Sequence, residues 1–403
     1  MVNVAILGFG TVGSGVAEVL TMNRELIDKR TAQQVRLKYI LDVRDFPDSP
    51  YKGCFVKDFA VIENDPEVDI VVETIGGATV ALDFTTRALK AGKSVVSSNK
   101  ELVATHGYEL LQLAKANGVS YLFEASVGGG IPVLRPLTNC LAGNEVEQVC
   151  GILNGTTNYI LTRMIRAGLS FEQALKEAQD NGYAERNPSA DIEGHDACRK
   201  ICILAALAFG EHIYPEQVPT QGITAITLAD VDYANSCGYK IKLLGRTLRM
   251  ENGKVCAYVA PHLVSGSDPL AGVEDVFNAI KITGNAVGDT MFYGRGAGKL
   301  PTASAVVGDI VDIAKDVKTR KCNEWGPGAK DLVQAPDELA FRWYVRVNAA
   351  VDEVRKACGE VALLARGGAP AREIAFLTEA MTQAQLEQKL AGLDMLSAIR
   401  VLA

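Results

Sequence analysis

Several features are missing from the sequence. No apolar stretch is long enough to cross a membrane as a helix, no cluster of Lys and Arg is present, and no Cys-x-x-Cys pair occurs. These absences exclude a helical membrane protein and tell against a redox dithiol. A net charge of -7 adds to the case against a nucleic-acid surface. The opening residues, MVNVAILGFG, carry no charged leader and enter a strand at once, so no signal peptide is expected. Cysteines number nine, an odd count; Cys198 and Cys202 are spaced i, i+4, but no nearby pattern completes a zinc site. Reduced core thiols in a cytoplasmic protein are the expectation.

The composition, with 48% hydrophobic and 22% charged residues, is that of a globular protein, and 403 residues suffice for two or three domains. Val2 to Leu7 reads as a short buried strand running into Gly8-Phe9-Gly10-Thr11-Val12-Gly13 and then an apolar helix. A lone GxGxxG is weak, but between a strand and a helix it points to a dinucleotide. Glycine permits the tight turn and lets backbone approach a pyrophosphate at the helix N-terminus. A further strand, Val35 to Val43, ends in Asp42-Val43-Arg44. Asp42 could hold the 2'-hydroxyl of NAD, and Arg44 the 2'-phosphate of NADP. Alternation puts both on one side of the strand, so the preference stays open.

Asp69 to Glu73 and Ser94 to Ser97 read as buried parallel strands, followed by Thr74-Ile75-Gly76-Gly77 and by Ser98-Asn99-Lys100. Ligands bind at that carboxyl edge of a doubly wound sheet, which places Lys100 near cofactor or substrate. From Glu145 to Val264 the pattern changes to longer strands, with Asn252-Gly253 marking a hairpin. This part reads as an α+β domain. Gly294-Arg295-Gly296-Ala297-Gly298-Lys299 is not a phosphate loop: its first glycine is misplaced, and Leu300 stands where Ser or Thr must ligate magnesium.

The stretch from Ala178 to Phe209 is central for a chemical reason. A turn-rich segment bears Gly182, Glu185, Asp191 and Glu193, and an apolar helical run from Ile201 to Phe209 follows. Between them Asp196 and Lys200, spaced i, i+4, share a helix face. Such a pair is usually a surface salt bridge. Here the helix turns wholly apolar after Lys200, a desolvating boundary at which a lysine's pKa falls.

The pattern Gly182-Tyr183-Ala184-x2-Asn187-Pro188-x2-Asp191-Ile192-x-Gly194-x-Asp196-x3-Lys200 resembles the signature of homoserine dehydrogenase. GFGTVG, ETIGG, SSNKELVATHG, EASVGGGIP, GILNGTTNYI and GRGAGKLPTASAVVGD extend the resemblance to about Lys315. It implies NAD(P)-dependent interconversion of L-homoserine and L-aspartate 4-semialdehyde, in threonine, methionine and isoleucine biosynthesis. It also implies roles for residues. Lys200 is the proton-transferring group, Lys100 orients the substrate near the cofactor, and Glu185 and Asp196 hold the substrate ammonium, with Asp191 and Gly182 in the same loop. The cofactor is expected on Gly8 to Gly13, Arg44, Thr74, Lys100 and Gly298. A sodium ion is expected on the main chain of Glu124, Val127, Gly129 and Ile131.

The expected architecture is α/β. Residues 1–131 form a Rossmann-type doubly wound sheet, completed by a helix near 300–317. Residues 132–300 form an α+β catalytic and dimerisation domain. A charged linker, 318–338, leads to 339–403, whose βαββαβ order looks like an ACT module. Its first turn, Asn348-Ala349-Ala350-Val351, lacks the Asp-x-Pro-Gly of the usual ligand loop, so packing or dimerisation is as open as effector binding. A homodimer or homotetramer is expected. Two rivals stand beside this reading. An aspartate-semialdehyde dehydrogenase, as another semialdehyde-handling oxidoreductase, needs an activated cysteine, and the cysteines here lie in apolar stretches or lack a nearby histidine in sequence. A nucleotide-binding sensor on a dehydrogenase scaffold should have lost Lys200 or Glu185, and the chain keeps both.

Overall fold

A computed structural model describes residues 1–402; Ala403, the last residue of the expected ACT-like module, lies outside the described residues. The chain divides into two compact units. One contains residues 1–147, 202–215 and 283–330, the other 148–201, 216–282 and the chain from Asp331 on.

The first unit is built on six strands: β1 (Val2–Leu7), β2 (Val35–Leu41), β3 (Phe55–Val56), β4 (Val68–Glu73), β5 (Ser94–Ser97) and β6 (Tyr121–Leu122). They run parallel in the order β3-β2-β1-β4-β5-β6. That is the doubly wound arrangement expected, and its order reverses between β1 and β4. Helices α1 (Thr11–Met22), α2 (Arg24–Thr31), α3 (Phe59–Glu63), α4 (Thr79–Lys90) and α5 (Lys100–Ala116) make the crossovers. Near-continuous apolar strands such as VNVAIL require cover on both faces. Part of that cover comes from far along the chain, as Val306, Ile310 and Ile313 join the core of Val4, Ile6 and Val16.

The second unit contains β7 (Val146–Ile152), α6 (Gly155–Ala167), α7 (Phe171–Asp180), α8 (Ser189–Ile192), the start of α9 (His195–Phe209), α10 (Leu228–Ser236), β8 (Tyr239–Arg249), β9 (Val255–Ser265) and β10 (Phe277–Gly284). Gly253, with φ +81, turns β8 into β9 as the Asn-Gly pair predicts. After it come β11 (Gly288–Arg295) and α11 (Lys299–Lys315), where a helix was expected near 300–317.

The C-terminal part consists of β12 (Val333–Gln334), β13 (Trp343–Asn348), α12 (Val351–Cys358), β14 (Ala362–Leu364), β15 (Glu373–Leu377), α13 (Gln383–Leu390) and β16 (Asp394–Val401). In the second unit the strand order is β10-β7-β8-β9-β16-β13-β15-β14. The βαββαβ segment is therefore no separate sheet: β16 lies parallel to β9, with Arg400 opposite His262. The strand β13, within FRWYVRV, has β15 on one side and β16 on the other. Its burial explains this, since Trp343 to Val347 are all buried and need cover along both flanks.

The segment 318–338 is anchored rather than loose. In the first unit the Lys321 amide donates to Ser120 Oγ at 2.8 Å, and Cys322 bridges to Tyr121. Trp325 is buried and donates from Nε1 to His212 Nδ1 at 3.0 Å. Its ring lies over Gly107, where a Cβ would come within 2.6 Å of it. In the second unit β12 pairs with β9.

Candidate active site

The nucleotide side of the site follows from the first turn after β1. Gly8 has φ +93, and its amide donates to the Leu41 carbonyl at 2.8 Å. A Cβ on Gly13 would fall 1.9 Å from the Gly8 carbonyl oxygen, so only glycine allows the turn to close on the helix. A Cβ on Gly10 would meet nothing within 4 Å, and α1 begins there with no side-chain cap and no acid in its first turn. Open backbone at the positive end of a helix is what a pyrophosphate needs, so the residues present fit a dinucleotide. Thr11 opens α1, and Val12 packs into the core beneath it. Thr74 closes the turn from the other side, its hydroxyl donating to the carbonyls of Leu7 and Gly8 at 2.8 and 3.1 Å.

Asp42 and Arg44, left as alternatives by the sequence, are partners. Asp42 is buried, and its carboxylate accepts from the Phe9 amide at 2.8 Å and the Arg44 amide at 2.9 Å. It also accepts from Arg44 Nε and Nη2 at 3.0 and 2.9 Å. The Arg44 guanidinium, aided by the two amides, holds the Asp42 carboxyl well below the usual range. Arg44 itself is 60% exposed and lies over the Phe46 ring at 5.2 Å. Lys57, which the sequence did not single out, caps the carbonyls of Asp42, Val43 and Arg44 at 3.1, 3.2 and 2.6 Å and reaches Asp45 at 2.8 Å. A cavity of about 540 Å³ opens between Gly10, Asp42, Arg44, Lys57 and Thr74.

Lys100 is the first residue of α5, half-buried, behind an Asn99 cap that accepts from the Glu101 and Leu102 amides at 3.1 and 3.0 Å. A cation at a helix N-terminus opposes the macrodipole, so its place there does not serve the helix. Gly298, with φ +121, immediately precedes α11.

The glycine-rich loop has left-handed φ at Gly128 and Gly129. A Cβ at Gly129 would lie 2.3 Å from the Gly296 carbonyl oxygen, so the two glycine segments meet backbone to backbone. The Glu124 carboxylate is engaged by the amides of Val133, Leu134 and Arg135 at 2.6, 2.8 and 2.8 Å. Its carbonyl accepts a long 3.4 Å bond from the Val127 amide, and the Ile131 amide bonds to Gly128. Asp309, wholly buried behind Glu124, is pushed up to about 7 by desolvation despite the nearby Arg135.

The residues expected to handle the substrate lie, apart from Lys100, in the second unit. Lys200 Nζ donates to Asp196 Oδ2 and to the Leu153 carbonyl, both at 2.7 Å. Both side chains are buried, so this is no surface pair. Asn154 links the cluster: its Nδ2 donates to Asp196 Oδ2 at 2.8 Å and to Asp191 Oδ1 at 2.7 Å. Its Oδ1 meanwhile caps α6 through the Thr157 amide. Lys200, Asp196 and Asp191 are thus brought together by a residue that the sequence marked only as part of a polar loop. Glu185 is exposed, its carbonyl accepting from Gln179 Nε2 at 3.1 Å. Gly182, with φ +73, forms the corner before it. Glu193 turns outward to His195 Nε2 at 3.2 Å.

The nine cysteines form no disulfide. All are free thiols, and burial pushes Cys54, Cys237 and Cys358 up and Cys256 to about 12. Among the described residues no group of three or more His, Cys, Asp or Glu could hold a metal, and no helix is long and apolar enough to cross a membrane.

Comparison with known proteins gives a consistent outcome. A family profile described as "Homoserine dehydrogenase" matches residues 132–311, and one described as "Homoserine dehydrogenase, NAD binding domain" matches residues 8–124. A homoserine dehydrogenase of Bacillus subtilis is 40% identical over 360 residues, 88% of this chain and 82% of that protein. One from Corynebacterium glutamicum is 44% identical over 322 residues, 78% of this chain and 72% of that protein. Among solved structures, a homoserine dehydrogenase from Thiobacillus denitrificans superposes with a TM-score of 0.89 at 34% identity, covering 100% of this chain and 98% of the other. A hyperthermophilic archaeal homoserine dehydrogenase in complex with NADPH gives 0.65 at 29% identity, covering 77% of this chain and 97% of the other.

Proposed function

The chain belongs to the homoserine dehydrogenase family of NAD(P)-dependent oxidoreductases, and from that premise we propose that it interconverts L-homoserine and L-aspartate 4-semialdehyde. The observation that carries the reading is the buried Lys200–Asp196 pair at the Leu153 carbonyl. The bound nicotinamide supplies or accepts the hydride. What remains for the protein is one proton and the pose of the substrate. Lys200 Nζ takes the hydroxyl proton in oxidation and returns it to the carbonyl oxygen in reduction. Asp196, engaged with Lys200, orients that amine, while the exposed Glu185 is the acid available to the substrate ammonium. Lys100, at the carboxyl edge of the parallel sheet, steers the reacting groups toward the nicotinamide. An assay following nicotinamide absorbance with homoserine and each cofactor tests the reading, and no turnover with either would sink it.

NADP is accepted on this reading. Arg44 and Lys57 put positive charge at the end of β2, while Asp42 is occupied by Arg44 and by the Phe9 amide, which leaves it little capacity for a ribose hydroxyl. Arg44→Ala should raise the KM for NADP roughly 10- to 100-fold, the worth of a charged hydrogen bond, and change that for NAD little. Equal effects on both cofactors would remove Arg44 from phosphate recognition. For sodium, the carbonyls of Glu124, Val127, Gly129 and Ile131 remain the proposed ligands. The amides that engage the Glu124 carboxylate favour a main-chain site over a side-chain one.

The C-terminal βαββαβ segment is read as ACT-like, on the strand order β16-β13-β15-β14. Two features of its first turn tell against an amino-acid effector there. The Ala349 and Ala350 amides are taken by Arg372 O and Glu353 Oε2. Asp352 and Glu353 occupy the first turn of α12, where a ligand carboxylate would meet like charge. Saturating threonine should therefore leave the initial rate unchanged. Strong inhibition would restore the module as a sensor.

A further inference from the structure

Beneath the cofactor edge of the first unit lies a carboxyl group that the mechanism above does not use. Glu73 is the last residue of β4, wholly buried, and paired in register with Ser97 at the end of β5. Its Oε2 accepts from Ser97 Oγ at 2.6 Å and its Oε1 from the Ile75 amide at 2.7 Å. Ser97 Oγ in turn accepts from the Asn99 amide at 3.0 Å. Asn99 Nδ2 reaches back to the carbonyls of Ile75 and Gly77 at 3.0 and 2.7 Å, and the Ser98 amide donates to the Glu73 carbonyl. The bonds form a closed ring. One side is the 74–77 loop, whose Thr74 closes the glycine turn; the other is the Ser98–Lys100 turn.

We propose that Glu73 is a positioning residue for the reaction: its buried carboxyl ties the 74–77 loop to the end of β5 and so fixes Thr74 and Lys100 at the cofactor edge. A buried carboxyl is an expensive tie, since burial disfavours its charge. An apolar residue would serve the strand better, as Ile70, Val71 and Val72 before it do. What the carboxyl adds is two bonds from one rigid group to two different loops. The environment agrees with that role. Desolvation pushes Glu73 up to about 7 against the bonds from Ser97, Ile75 and Asn99. The titratable group facing it is Tyr121 on β6, itself pushed well above its ordinary value by burial, while β1 and β5 present Leu7 and Ser97.

The proposal rests on the dehydrogenase reading, so wild-type turnover is measured first, and its absence would count against that reading. With activity established, Glu73→Ala and Glu73→Gln are compared. Glutamine keeps an acceptor for the Ile75 amide and a donor for Ser97. It should hold kcat/KM close to wild type at neutral pH and lose any limb of the wild-type pH profile near 7. Alanine should lower kcat/KM for homoserine on the order of 10²-fold, as a displaced reacting group does, and raise the KM for NADP, at an unchanged circular dichroism spectrum. Ser97→Ala removes one hydroxyl from the same ring and should move kcat/KM in the same direction, which keeps the test decisive if Glu73→Ala does not fold. Glu73→Ala or, failing that, Ser97→Ala that folds with wild-type kcat and KM would overturn the proposal. So would a glutamine variant no better than alanine.

Discussion

Lys200→Met should lower kcat for homoserine oxidation by about 10²- to 10⁴-fold, the usual worth of a positioned proton-transfer group. The KM for NADP should hardly change, because the cofactor contacts proposed here lie on the glycine turn and the end of β2. Charge and proton transfer must be separated, since Lys200 also pairs with buried Asp196. Methionine leaves that carboxylate without its cation, which costs stability as well as chemistry. Lys200→Arg separates the two. Arginine can keep the ion pair but does not release a proton near neutral pH, so the variant should fold and still be inactive. If Lys200→Arg turned over like wild type, Lys200 would be a structural partner of Asp196 and the proton would have to move elsewhere. Thermal melting of both variants, with and without NADP, distinguishes lost folding from lost chemistry.

What was legible in the sequence was local. The glycine turn after β1 needs only a few neighbouring residues to declare itself, and so does the i, i+4 spacing of Asp196 and Lys200. The doubly wound order follows from short apolar strands alternating with helices. What stayed hidden depends on contacts between distant residues. Asn154 joins Asp191 and Asp196 across separations of 37 and 42 residues, and nothing in NGTTN says which acids it will meet. Asp42 and Arg44 were expected on one side of a strand running to Val43, but β2 ends at Leu41, and the turn beyond it folds the guanidinium back onto the carboxylate. Glu73 read as the end of a buried strand, and the use of its carboxyl appears only once β5 lies beside it. The C-terminal strands were read as a βαββαβ order. Such an order cannot say that the last strand, AIRVL, will run parallel to a strand some 140 residues earlier, with Arg400 opposite His262.

That long-range attachment carries the second large effect. Asp230→Ala should destabilise the second unit by about 3–5 kcal/mol, because it breaks a buried ion pair from one side only. Asp230 is wholly buried on α10, and its carboxylate serves three ends. It accepts from Arg346 Nε at 2.9 Å and from the Tyr344 hydroxyl at 3.0 Å, both on β13. It also closes the cap of its own helix, accepting from the Thr227 amide and hydroxyl at 3.0 and 2.7 Å. Alanine would leave Arg346 buried with Glu373 as its remaining acidic partner, at 3.1 Å, and would remove the Asp230 half of the capping box, leaving the Thr227 hydroxyl on the residue-230 amide. At roughly 2–4 °C per kcal/mol for a unit of this size class, the melting temperature should fall by about 10 °C. Asp230→Asn keeps one acceptor oxygen, for either Tyr344 or the cap, and loses the charge, so it should melt between wild type and Asp230→Ala. Arg346→Met in the Asp230→Ala background removes the stranded cation and should recover part of the loss. Asp230→Ala melting within a degree or two of wild type would mean that the β9–β16 pairing alone holds the C-terminal segment and that the ion pair contributes nothing to it. The expected order also bears on truncation: a chain ending near Lys318 uncovers the β9 flank and leaves Asp230 without Arg346, so it should lose folded protein rather than merely change its subunit number.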